Sequence, residues 1–189
     1  CEKVCNYIHL PVQSGSNDVL RRMNRRYTAE HYMELVDMAR EIIPDVTITS
    51  DLIVGFPGET EEDFEATMEL SRKARWSMTY SFIYSKREGT KAAVMEDQIP
   101  HDVSSNRFQR LLDLQTEISH EINASFVGKT TTVLFDDEVD VGEGYISGRS
   151  YENLVVRAPR NDVKKGFAKV YLKESLGWAL DGEIIKTEE

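Results

Sequence analysis

A β-branched run, Val46-Thr-Ile-Thr-Ser-Asp-Leu-Ile-Val54, meets a glycine-bounded turn, Gly55-Phe-Pro-Gly-Glu-Thr60, and passes directly into a helical pattern. Strand, tight turn and capped helix in immediate succession form the grammar of a parallel βα unit, and no other stretch restricts the fold as much. Thr60 is placed to cap. Glu61, Glu62 and Asp63 put negative charge in the first turn, where the helix dipole favours it, and Phe64, Met68 and Ser71 share one side. The same alternation continues in both directions. Upstream, His9-Leu-Pro-Val-Gln-Ser-Gly-Ser-Asn17 is an extended apolar run that breaks into small polar residues before the helical stretch Asp18–Met23. Thr28 then caps a helix whose Tyr32, Leu35, Val36, Ala39 and Ile42 recur every three or four residues, and Pro44 stops it. Downstream, Trp76–Tyr84 reads as another strand.

From Asp102 to Ser125 an amphipathic pattern sets Phe108, Leu111, Leu112, Gln115, Ile118 and Ile122 on one face, and Gly128 ends it. The pattern predicts a long helix linking two domains, residues 1–125 and 126–189. Beyond Gly128 the periodicity shortens to two. Thr130–Phe135, Gly144–Arg149, Asn153–Arg157, Gly166–Leu172 and Trp178–Ile185 read as five strands of a small antiparallel barrel. The expected fold class is therefore α/β followed by a small all-β barrel.

With 40% hydrophobic and 30% charged residues, 189 residues can bury a core. No apolar run approaches the roughly 20 residues of a membrane helix and no signal pattern opens the chain, which predicts a cytoplasmic protein with no membrane partner. The first residue is Cys, so the chain reads as a piece whose upstream half lies elsewhere, with an open sheet edge that invites non-native dimerisation. A net charge of −10 argues against holding nucleic acid by bulk electrostatics, so any RNA contact must be a local patch. Cys1 and Cys5 are too few thiolates for an iron–sulfur cluster, and the four histidines lack metal-ligand spacing.

In a parallel α/β sheet, ligands collect at the carboxyl ends of the strands. Small and hydrogen-bonding residues fall at three of these ends: Gln13-Ser-Gly-Ser16, Ser50-Asp51 with Gly55–Thr60, and Tyr84-Ser-Lys-Arg-Glu-Gly-Thr90. Together they predict a polar rim for a small molecule. The competing reading is that Gln13, Ser14 and Ser16 only end a strand and cap the next helix, that Asp51 only caps a neighbouring loop, and that Arg87 only pairs with Glu88 or a nearby carboxylate. A phosphate-binding α/β enzyme, with an anion between Gly58 and Thr60 at the following helix, is a further alternative.

The blocks HLPVQSGSNDVLRRMNRRYTAEHY, TSDLIVGFPGETEEDF and FIYSKREGTKAA, with the terminal WALDGEII, closely resemble the C-terminal half of the radical S-adenosylmethionine methylthiotransferases, and most of all their tRNA-modifying branch. The resemblance runs in order over nearly the whole chain. It implies the C-terminal part of a partial TIM-type barrel, followed by an OB-like TRAM domain that contacts RNA. It implies S-adenosylmethionine and two 4Fe–4S clusters in the complete protein, with sulfur and electron donors, and a 2-methylthio group placed on an N6-isopentenylated adenosine of tRNA beside the anticodon. Branches acting on a ribosomal protein or on threonylcarbamoyladenosine are the rivals within the family. Neither cluster cysteine set is present here, so the resemblance implies no catalytic or metal-binding residue in this chain and no activity from it alone. By position, Gln13 and Ser14 are candidates for the cofactor's amino-acid end or ribose, Asp51 for a ribose hydroxyl or the ammonium, and Gly55, Phe56 and Tyr84 for the adenine, with Ser85 and Arg87 on the adjacent loop.

From Phe126 onward, nine Lys and Arg face twelve Asp and Glu, so RNA contact needs a concentrated patch. Arg149, Arg157, Arg160, Lys164 and Lys165 are its candidates, with Tyr151 to stack on a base. Arg21, Arg22, Arg25 and Arg26 form a second basic group. A non-enzymatic RNA-binding module is the alternative of another class.

Overall fold

The computed structural model describes residues 4–162 and 164–185, so Cys1 lies outside the described residues. The chain divides into two compact units: Ile8–Pro44 with Ile48–Ile118, and Ser119 onward with Asp45–Thr47 and the described part of the segment ending at Tyr7.

The first unit is built on strands β1 (Tyr7–His9), β2 (Thr47–Val54) and β3 (Met78–Ile83), in the order β1-β2-β3. β2 and β3 are parallel, with Asp51 beside Tyr80 and Ile53 beside Phe82. Parallel neighbours need crossover connections. Helices α1 (Asn17–Arg22) and α2 (Ala29–Ile42) separate β1 from β2, and α3 (Glu61–Ala74) separates β2 from β3. Leu20, Ile48, Leu52, Phe64, Trp76 and Leu111 are fully buried, and the Trp76 indole N–H donates to the Tyr32 hydroxyl at 2.8 Å.

β1 is shorter than the extended run around Pro11 predicts, and the proline is the reason. Leu10 N–H donates to the Thr49 carbonyl at 2.8 Å, but Pro11 has no N–H and the ladder breaks there. Val12 N–H turns to the Ser50 hydroxyl at 3.0 Å, and Gln13 rejoins β2 as a single parallel bridge to Leu52. Gln13 does so with a left-handed φ of 76°, a conformation that costs a non-glycine residue about 1–2 kcal/mol.

Ser16, three residues after Gln13, acts as a cap. Ser16 accepts from Asp18 and Val19 N–H at the start of α1, and its hydroxyl donates to Asp63 Oδ1 at 2.5 Å. Asp63 in turn closes a capping box with Thr60 at the start of α3. Burial pushes the Asp63 carboxyl up, but the hydrogen bonds from Ser16 and Thr60 outweigh it and hold the group below its ordinary value. A depressed folded-state value stabilises the fold above the unfolded value of about 3.9 and is lost as pH falls through the folded one. The melting-temperature gap between the native chain and Asp63→Asn is therefore expected to be widest near neutral pH and to close below about pH 4; a gap independent of pH would contradict this role.

Helix α4 (His101–Ser125) runs from the first unit into the second. The second unit contains β4 (Thr130–Phe135), β5 (Tyr145–Ser150), β6 (Val155–Pro159), β7 (Gly166–Ser175) and β8 (Leu180–Ile184), closed in the order β4-β5-β6-β8-β7. The five strands lie close to the five predicted segments. One pairing departs from the antiparallel expectation: β6 and β8 are parallel, with Val156 beside Leu180. A chain that inserts its last strand between the third and fourth must arrive in that direction. Val133, Phe135, Val156, Val170, Leu172 and Leu180 fill the interior. Gly148 is required where β5 crosses β4, because a Cβ there would lie 2.5 Å from the Leu134 carbonyl oxygen.

Candidate cofactor pocket and nucleic-acid surface

The carboxyl ends of β2 and β3, together with Gln13 beside β2, open into a cavity of about 550 Å³ in the α/β unit. That volume is in the range of small-molecule sites. Gln13, Asp51, Phe56, Tyr84, Ser85 and Arg87 all line it. Phe56 and Tyr84 meet edge to face with centroids 5.2 Å apart, and the buried Tyr84 hydroxyl has no hydrogen-bond partner among the described residues. Asp51 is half-buried, and its Oδ1 lies 3.4 Å from His9 Nε2. The other ring nitrogen of His9 is 2.9 Å from Thr49 Oγ1, and the ring stands edge-on to Tyr80.

Ser14 and Gly55 are placed elsewhere. Ser14 is fully buried, its hydroxyl 3.3 Å from Thr67 Oγ1 on α3 and accepting from the N–H of Ser16, the residue that caps α1. Gly55 takes a φ of 73°, its N–H donates to Glu59, and a Cβ on it would lie 2.3 Å from the Ser104 hydroxyl. Its smallness serves the approach of α4.

The loop from Gly55 to Thr60 is fixed by charge. Glu59 is 3% exposed, and its Oε1 accepts from Gly55 N–H and from Arg107 Nη1, both at 2.9 Å. Burial pushes the Glu59 carboxyl up, while the Gly55 amide and the Arg107 guanidinium pull it down by less. Arg107 also donates to the Glu59 carbonyl and to Glu61 Oε2, both at 3.1 Å. The backbone donors of the anion site considered between Gly58 and Thr60 are already engaged. Gly58 N–H donates to the Asp97 carbonyl, Glu59 N–H to the Phe56 carbonyl and Thr60 N–H to the Asp63 carboxylate.

Sequence reasoning missed one wall of the cavity, the turn after α1. Arg22, Met23, Asn24 and Arg25 line it. Asn24 takes a left-handed φ of 58°, and Arg25 N–H reaches back to the Leu20 carbonyl at 2.8 Å, folding the turn under the strand ends. Arg22 is pinned by Asp97 at 2.5 Å, and this bond holds the exposed Asp97 carboxyl below its ordinary value. The basic cluster was visible in the sequence, but the turn that aims it was not.

Residues 2–71 match the family described as the radical SAM superfamily. The tRNA-2-methylthio-N(6)-dimethylallyladenosine synthase of Acetivibrio thermocellus is 46% identical over 187 residues, 98% of this chain and 39% of the relative. That of Caldicellulosiruptor saccharolyticus is 48% identical over 185 residues, 97% and 39% respectively. The chain is thus similar to the radical SAM superfamily over residues 2–71 and to these synthases over nearly its whole length. It spans about two-fifths of the length of these curated relatives. Among solved structures, the coproporphyrinogen III oxidase of Escherichia coli, titled a radical SAM enzyme, matches 96% of this chain and 46% of its own at 20% identity. Its TM-score of 0.49 is too low to bear on the fold.

The lining carries groups that would suit a nucleoside-bearing sulfonium. An acceptor carboxylate (Asp51), a buried hydroxyl in need of a partner (Tyr84) and aromatic edges are what an ammonium, a ribose and an adenine require. An iron–sulfur cluster does not fit this chain. It has two cysteines, of which Cys5 is exposed and free, and the described residues contain no group of three or more His, Cys, Asp or Glu placed to hold a metal.

On the barrel unit, several predicted RNA contacts are already committed. Arg157 Nε donates to Asp181 Oδ1 at 2.7 Å and its guanidinium lies over the Tyr145 ring. Arg160 makes a two-pronged pair with Asp137 at 2.7 and 3.0 Å. Arg149 donates to the Asn153 carbonyl, and Tyr151 lines a shallow polar depression with Thr130 and Lys169. Lys164 and Lys165 are exposed.

Proposed function

We propose that this chain is the C-terminal part of a tRNA methylthiotransferase, which places a 2-methylthio group on N6-isopentenyladenosine beside the anticodon. The convergence of Gln13, Asp51, Phe56, Tyr84, Ser85 and Arg87 on one cavity carries the reading, because residues from separate strand ends gather where a nucleoside cofactor would sit. The relatives' printed names supply the reaction and the tRNA substrate. Bound S-adenosylmethionine would supply the reactive sulfonium and adenosyl group. Within the pocket Asp51 accepts from its ammonium or ribose, Tyr84 donates its hydroxyl, and Phe56 with Tyr84 excludes water around the adenine. The five-stranded barrel serves as an OB-like TRAM domain for RNA.

Thiolates for the iron must come from outside these 189 residues, so the chain alone is inactive. In an anaerobic assay of isopentenylated tRNA, the complete protein reconstituted with iron and sulfide yields the 2-methylthio nucleoside and the isolated chain yields none. Absence of that product from complete, cluster-loaded protein would refute the assignment.

A further inference from the structure

The stretch Lys164-Lys-Gly-Phe-Ala-Lys-Val-Tyr-Leu-Lys173 alternates in a way the barrel explains only by half. Val170 and Leu172 are fully buried, with Ala168 packed against the same core, so these inward residues are interior. The outward set is Phe167, Lys169, Tyr171 and Lys173, all exposed. Solubility accounts for the lysines. It does not account for Phe167 at 75% exposure or Tyr171 at 43%, since bulky aromatics left in water give up the burial that normally stabilises them.

Register extends the patch to both neighbouring strands. Leu134 on β4 stands beside Phe167 and is itself exposed; Ile185, beyond β8, donates its N–H to the Lys169 carbonyl and is exposed too. Phe167 and Tyr171 are about 13 Å apart at roughly 3.3 Å per residue, with Lys169 midway between them. Lys164 and Lys169 have no ion-pair partner among the described residues; Lys165 helps hold the Asp137 carboxyl below its ordinary value, and Lys173 approaches Glu183, which stands beside Tyr171, at 3.8 Å. Lys164 and Lys169 differ in this from Arg157 and Arg160, whose charge is spent on Asp181 and Asp137.

We propose that the outer face of β7 is a single-stranded RNA platform, on which bases stack against Phe167 and Tyr171 while Lys164, Lys165 and Lys169 contact phosphates. The proposal rests on the RNA reading of the barrel and specifies its face and mode. Alternating aromatic and cationic side chains suit an unpaired strand, whose bases are free to leave their own stack, better than a duplex, whose bases are not. In a chain with a net charge of −10, cations gathered on β7 and in the turn before it are the local exception that phosphate recognition needs.

The test is fluorescence anisotropy of the 189-residue chain with a labelled mixed-sequence 12-nucleotide RNA, and with the same RNA annealed to its complement. Tighter binding of the single strand is expected. Phe167→Ala with Tyr171→Ala should weaken it at least 10-fold, and Phe167→Tyr should restore most of that loss. Lys169→Ala should lower the slope of log affinity against log salt by about 0.7. Arg72→Ala on α3, whose guanidinium lies 3.7 Å from Glu69, should change neither. These positions are exposed, and unchanged melting of each variant confirms that folding is intact. If both RNAs bind but the double aromatic variant binds like the native chain, the β7 platform is wrong and the RNA reading survives. If neither RNA binds, or if the aromatic variants abolish only self-association in sedimentation, the platform is wrong, and failure to bind RNA removes the RNA reading of the barrel as well.

Discussion

Replacing Arg107 with alanine is expected to destabilise the α/β unit by about 3–5 kcal/mol, the usual cost of stripping the partner from a buried charge. Arg107 and Glu59 are 5% and 3% exposed, and the guanidinium serves the Glu59 carboxylate, the Glu59 carbonyl and Glu61 together. Without it, Glu59 keeps only the Gly55 N–H, and the penalty of holding a carboxylate out of water is no longer offset. The sign with pH is opposite to that of Asp63. Glu59 already sits above its ordinary value, and loss of the guanidinium raises it further, so the variant recovers stability as pH falls and the group becomes neutral. Urea denaturation at pH 7 and pH 5 should show the deficit shrinking at the lower pH. Glu59→Gln combined with Arg107→Met should recover much of the loss. A deficit below about 1 kcal/mol, typical of an exposed pair, would mean that the pair is not isolated from water.

The second large effect concerns ligand affinity. Asp51→Ala is expected to weaken S-adenosylmethionine binding about 10- to 100-fold, since a hydrogen bond to a charged group contributes roughly 1.5–3 kcal/mol. Among the described residues Asp51 is the only carboxylate lining the cavity, and Arg22, Arg25, Arg87 and Lys91 line it as well. Removing Asp51 therefore leaves only positive formal charges in the lining, which would repel a sulfonium and ammonium and compound the lost bond. Asp51→Asn keeps the shape and removes the charge, so it should fall between the two.

The βα units were legible because their signals are local. Thr60 with Asp63, and Thr28 before an apolar face, fix helix starts through bonds within a few residues. The barrel strands were legible for the same reason, through a period of two between turn residues. The parallel pairing of β6 with β8 was not, since adjacency of strands far apart in sequence leaves no local trace. The site divides along the same line. Residues at strand ends, such as Asp51 and Tyr84, could be placed by the rule that ligands collect there. The turn bearing Arg22 and Arg25 could not, because its direction depends on the left-handed Asn24. That Ser14 turns to Thr67 was not legible either, because its partner lies 53 residues away. Arg157 and Arg160 looked available in sequence because Asp181 and Asp137, 24 and 23 residues distant, pair with them only in the folded barrel.

Titration of the isotopically labelled chain with S-adenosylmethionine, followed by amide chemical shifts, tests the cofactor pocket most directly. The shifts should concentrate on Gln13, Asp51, Phe56, Tyr84, Ser85 and Arg87, and they should weaken in Asp51→Ala. Saturating ligand that leaves these amides unmoved, or that moves a different surface, would contradict the account.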